Sequence, residues 1–227
     1  MASLIEACRL AHDEDGPRLV WADQVGGERG ELVVLQCDLA RAFDPARQRR
    51  ADELIAAHGT EWAGDLARFA TRWELRRGFL EAAEIDARRF VYETDAIVRA
   101  APLLVSLTVT GLAGDDGPGL LHQLVTRPQF WQLSALDLVD PEIGDAAVEE
   151  LLASVALPSL RALGLAGLTP RAAHALVASG ELAALEMVRL VNDRLGDDAL
   201  IAIARALPAS AVLSREICAG GVPLRLL

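Results

Sequence analysis

The residues whose types could support metal or acid–base chemistry are four histidines, three cysteines and two short acidic runs. Cys8 and His12 stand four apart, about one helical turn, a spacing able to hold a metal ion; no second ligand pair follows at a suitable distance. His122 lies among Leu120, Leu121 and Leu124, and His174 among alanines, so both read as helix-surface or core residues. Asp13-Glu14-Asp15-Gly16 and Asp115-Asp116-Gly117 lack the spaced acids and terminal glutamate of a calcium loop and read as turns. The string Arg47-Gln48-Arg49-Arg50 has Asp44, Asp52 and Glu53 beside it and reads as a solvated helix face. The chain contains no phosphate loop, dinucleotide fingerprint, nucleophile elbow or zinc-protease motif. The expectation is a chain that is not an enzyme, with no catalytic residue, metal or cofactor.

The elements that would position these residues begin with a helix over 3–12, with Ser3 and Glu6 spaced as a capping box. A second helix starts at Pro17 and closes at Gly26-Gly27, and a third runs from Arg29 to Phe43. Asp44-Pro45 breaks the chain before a fourth, Ala46 to His58, and Gly59-Thr60-Glu61-Trp62 begins a last short one.

Within this segment Pro17-Arg18-Leu19-Val20-Trp21-Ala22-Asp23, Glu28-Arg29-Gly30-Glu31 and Leu35-Gln36 resemble the bacterial repeat-companion domain. So does Glu53-Leu54-Ile55-Ala56-Ala57-His58-Gly59 with Trp62. The resemblance covers about residues 3–66; Gln24-Val25 departs from the aromatic and aliphatic pair usual in that family. It implies a short helical module that precedes leucine-rich repeats, and it implies no activity.

The rest of the chain reads as such repeats from its own pattern, LxxLxLxxNxL, a strand with inward leucines followed by a helical return. Leu104-xx-Leu107-x-Val109, Leu133-xx-Leu136-x-Leu138, Leu160-xx-Leu163-x-Leu165 and Leu185-xx-Val188-x-Leu190 match, and Leu75-xx-Gly78-x-Leu80 matches weakly. The spacings are 29, 29, 27 and 25 residues, and Ile143-Gly144-Asp145 is echoed by Leu195-Gly196-Asp197. Ala83, Leu112, Pro141, Leu168 and Asp193 stand where asparagine is expected, so the repeats are degenerate. Leu213 begins an incomplete unit that Ile217 to Leu227 closes. The expected fold is α/β: a small leucine-rich-repeat solenoid, with parallel strands on a concave face and helices on the convex face. Residues 1–72 form an all-helical cap, and 73–227 carry about five repeats.

Composition bounds the partners. Formal net charge is -11, and both halves are acidic: 14 Arg against 19 acids before residue 100, 8 against 14 after it. Neither half offers the basic stripe that nucleic acid requires. All 22 basic residues are arginine, a high-GC bacterial signature. The longest uncharged stretch, Ala100 to Gly114, is shorter than the ~18–20 residues of a membrane helix. With no signal sequence and three widely spaced cysteines, the chain is expected in the cytoplasm with reduced thiols. The partner expected is a protein or peptide on the concave face, touching Arg77, Phe79, Glu81, Thr108, Thr110, Asp137, Val139, Arg189 and Val191. Arg77, Asp137 and Arg189 would anchor it. Holding a precursor peptide for tailoring enzymes fits this reading; a self-associating structural subunit is the alternative.

Overall fold

The computed structural model describes residues 2–154, 160–219 and 222–226 and is mixed α/β, with N-terminal helices and a mostly parallel sheet. The chain divides into two compact units, residues 1–83 with 95–104, and residues 84–94 with 105–227.

The first unit begins with α1 (Ala2–Leu10), α2 (Gly16–Val25), α3 (Gly27–Arg41) and α4 (Pro45–Ala63). Cys8, Trp21, Ala22, Val33, Cys37, Phe79 and Leu103 form its buried cluster, with the Trp21 and Phe79 rings 4.8 Å apart. Prolines 17 and 45 occupy first-turn positions, where the missing N–H costs nothing. Asp44 caps α4, its Oδ1 accepting from the Ala46 and Arg47 amides at 2.8 and 3.0 Å. These bonds hold the Asp44 carboxyl below its ordinary pKa. Two local expectations fail for identifiable reasons. Helix α1 already includes Ser3, and Glu6 bonds the Arg9 guanidinium instead of completing a capping box. Helix α4 runs through Gly59 without a break, because the glycine makes room for a neighbour: a Cβ there would lie 2.9 Å from the Trp73 ring.

Two strands follow, β1 (Ala70–Arg76) and β2 (Phe79–Asp86). Arg77 and Gly78 between them both have positive φ, 44° and 81°, the backbone of a two-residue hairpin turn. Gln36 clamps the turn, donating to the Leu75 carbonyl and accepting from the Gly78 amide. The weak repeat match at Leu75-xx-Gly78-x-Leu80 is therefore corrected, since the chain reverses inside it.

In the second unit, α5 (Ala87–Ala100) is kinked at Glu93, and only its first part, to Thr94, belongs here. Strand and helix then alternate: β3 (Ser106–Thr110), α6 (Gly117–Val125), β4 (Ala135–Leu138), α7 (Gly144–Ala153), β5 (Ala162–Ala166) and α8 (Pro170–Ser179). Next come β6 (Met187–Val191), α9 (Asp197–Ala206), β7 (Val212–Ala219) and β8 (Val222–Leu226). Strands β3 to β7 pair in chain order and in parallel, and β8 pairs antiparallel with β7. Gly220, Gly221 and Leu227 of the closing segment lie outside the described residues.

The period-2 pattern decides which side chains go in. Leu107, Leu136, Leu163 and Val188 form one register row, and Val109, Leu138, Leu165 and Leu190 another; all are buried. Each such side chain contributes roughly 1.5–3 kcal/mol by leaving water. Return helices add Leu121, Leu151, Leu176 and Ile203 to the buried set. Carboxylates then tie successive turns together: Asp140 accepts from the Leu112 amide at 2.8 Å, and Asp145 from the amide and hydroxyl of Thr169. Among the described residues no helix is long and apolar enough to cross a membrane.

Candidate functional site

The residues between the buried leucines form three rows on the other face of the sheet. The first is Ser106, Ala135, Ala162, Met187 and Val212; the second is Thr108, Asp137, Gly164, Arg189 and Ser214. Ala166, Val191 and Glu216 share the third, with Thr110 and Val139 following Val109 and Leu138 in the same phase. Thr108, Thr110, Asp137, Val139, Arg189 and Val191 are all partly exposed, as the alternation requires. Met187 and Val212 are about half exposed, at 45% and 52%, at one end of the first row.

The charges on this face are not free. Arg189 Nη2 lies 2.9 Å from Asp137 Oδ1, and Arg189 Nη1 lies 3.9 Å from Glu216. Asp137 and Arg189 stand on strands β4 and β6 and meet across β5, which carries Gly164 between them. A Cβ on Gly164 would fall on the Asp137 carboxylate, so the glycine is what lets the pair bridge over a strand. The expected trough around Gly164 is thus occupied by the pair, which leaves a row without charges, Ser106 to Val212, on one side. Each partner is about one third exposed, so water and salt screen the attraction. Asp137→Asn is expected to change the unfolding free energy by less than about 1 kcal/mol in urea titration, because a solvent-exposed pair contributes little.

Arg77, Phe79 and Glu81 are placed elsewhere, which corrects the reading that set them on the same open face. Phe79 is 7% exposed and packs on Trp21, and Glu81 is 2% exposed. Their expected phase assumed one continuous strand through the Arg77–Gly78 turn. Glu81 instead receives Arg18 at 2.7 Å, with Arg77 at 3.6 Å and His12 at 3.7 Å. Arg18 is fully buried and also donates to the His12 carbonyl at 2.8 Å. Burial pushes the Glu81 pKa up despite Arg18 and Arg77, and burial pulls Arg18 down despite Glu81. In both partners desolvation outweighs attraction, the usual balance for an ion pair taken out of water. The cluster is a structural post inside the first unit.

The Cys8–His12 pair does not converge on a free ligand position. Cys8 is fully buried, while His12 faces Glu81 and Asp13. Cys8 and Cys37 are both free thiols. Burial raises the pKa of each, that of Cys37 to about 12 with Asp15 adding to the effect, so neither forms thiolate readily.

No protein-family model matches this chain, and no curated protein does. Among solved structures it is similar to a Bacteroides fragilis protein determined by a structural genomics consortium. The identity is 22% and the TM-score 0.42, over 52% of this chain and 39% of that one. This chain thus spans well under half of that protein's length, and the likeness is too slight to carry an argument about fold or function.

Proposed function

We propose that this chain is a non-catalytic binding protein whose second unit is a small leucine-rich-repeat solenoid, and that its outward sheet face holds an extended apolar segment of a protein or peptide. The single observation that carries the binding reading is the internal neutralisation of this face. Its central charges, Asp137 and Arg189, satisfy each other, and the first row beside them carries no charge and ends in half-exposed Met187 and Val212. Among the described residues, a ligand laid along the first row meets no unpaired charge to desolvate, which favours an uncharged segment over an acidic or basic one.

The solenoid reading is supported by the parallel register, the strand-to-strand alternation with helices, and the way the stack ends. Arg215 follows Leu190 in the inward row and pairs with the buried Asp193 at 2.8 Å, and antiparallel β8 then closes the run of parallel strands. A repeat stack needs a closing element of this kind at its end. Holding a precursor peptide while other enzymes modify it is one role such a face could serve.

The test is selection of a displayed random peptide library on the wild-type protein, followed by measurement of the selected peptides on Ala162→Arg. Ala162 lies mid-row between Ala135 and Met187, so its replacement blocks the row without touching the buried leucines. Apolar peptides should bind the wild type and lose roughly tenfold or more in affinity on the variant. Peptides that bind both proteins equally would overturn the reading.

A further inference from the structure

A second site lies in the first unit, around Arg29. Its guanidinium carbon sits 4.9 Å from the Trp62 ring centroid and 5.9 Å from that of Trp21, held between two aromatic faces. Arg29 Nη1 is buried without a hydrogen-bond partner. So is Nε1 of Trp21, a side chain only 8% exposed. Both residues line a cleft of about 160 Å³ whose other walls include Trp62, Phe79, Pro102 and Leu103.

What sets Arg29 apart among the described arginines of this unit is burial without a carboxylate beside it; those that lack one as well, Arg49, Arg72 and Arg99, are exposed. Arg9, Arg18, Arg41, Arg47, Arg50 and Arg77, all in the same unit, each have a carboxylate within 4 Å. Arg29's own sequence neighbours are taken: Glu28 by His58 at 2.8 Å and Glu31 by Arg50 at 2.7 Å. Burial without a counter-ion pulls the Arg29 pKa down to about 10. Aromatic faces compensate a buried cation in part, but they do not use its N–H donors. A guanidinium Nη1 and an indole Nε1, each without an acceptor, on two residues lining one largely apolar cleft are the donor set for a single planar acceptor.

We propose that this cleft binds a carboxylate carried on a small apolar body, the guanidinium and the Trp21 N–H meeting the carboxylate and the walls covering the body. The volume is close to the roughly 150 Å³ of an apolar cavity that accepts one benzene ring, and well below that of a drug-sized pocket. The carboxylate is that of a free monocarboxylic acid or of an apolar residue ending a peptide chain. This site is independent of the sheet face.

The experiment uses the full chain and four probes: phenylacetate, phenylacetamide, N-acetyl-Gly-Phe, and the same dipeptide as its C-terminal amide. Titration is followed by the indole N–H resonances, with Trp21 and Trp62 assigned by Trp→Phe replacement. At least one acid should bind roughly tenfold or more tighter than its amide, moving the Trp21 and Trp62 signals. Arg29→Gln should erase that difference while leaving the unfolding transition in place. Preference for phenylacetate identifies a free acid as the ligand, and preference for the dipeptide acid identifies a chain terminus. Acids and amides binding the wild type alike, or neither acid binding at millimolar concentration, overturns the proposal whatever the variant does.

Discussion

Arg18→Ala is expected to lower the unfolding free energy by about 3–5 kcal/mol in urea titration, the cost of emptying a large buried site and stranding its polar partners. Arg18 is among the largest fully buried side chains, so truncation leaves a cavity. It also removes the closest cation from Glu81 and the donor from the His12 carbonyl. The double variant Arg18→Met/Glu81→Leu should behave very differently. It keeps volume, removes both charges from a site where burial disfavours each, and should lie within about 1 kcal/mol of wild type or above it. The two also differ in pH dependence. Because Glu81's folded pKa lies above its unfolded value, the folded state binds that proton more tightly. This contribution is fully present below the unfolded carboxylate pKa of about 4.3 and is lost as pH rises through the folded value. The double variant should therefore gain on wild type as pH increases across that window. A double variant as unstable as Arg18→Ala would show that the charges themselves hold the first unit together.

Gly167→Ala should cost about 2–5 kcal/mol, combining a left-handed backbone position with overpacking. Gly167 has φ +70°, and a Cβ there would stand 1.9 Å from the Pro141 carbonyl oxygen, which belongs to the preceding turn of the stack. Backbone cannot rotate aside as a side chain can, so the two turns must separate. Gly119→Ala is the control: Gly119 sits in α6 with ordinary φ and nothing within 4 Å of the added methyl. That change should stabilise by about 0.5–1 kcal/mol through helix propensity. Equal responses at the two glycines would mean that the turns are not in contact.

How much was legible follows from how local each determinant is. Leu136-x-Leu138 and Leu163-x-Leu165 announce their strands, because a two-residue period and a nearby helical return are visible within one window. The same period placed Thr108, Asp137 and Arg189 on the outward face. It did not show that Asp137 and Arg189 would meet, since they are 52 residues apart and their pairing depends on a glycine in the strand between them. Glu81 was misplaced because its partners Arg18 and His12 lie far upstream, and nothing near residue 81 signals a buried cation. Gly59 looked like a helix stop, but the feature that decides its role is Trp73. Arg29 was overlooked because Glu28 and Glu31 sit beside it as natural partners; only the folded chain shows both engaged elsewhere. The available signal was aromatic: Trp21 and Trp62, both within the segment resembling a known module, bracket that arginine in space.

The sheet-face reading is tested most directly by methionine-methyl NMR, because the chain has only two methionines, Met1 and Met187. With ¹³C-methyl label, Met187 is a single reporter at the half-exposed end of the uncharged row. Adding a peptide selected on the wild-type protein should shift the Met187 signal saturably, and phenylacetate should leave it unmoved. A peptide that binds with full affinity while Met187 stays in place would contradict the assignment of this face as the binding surface.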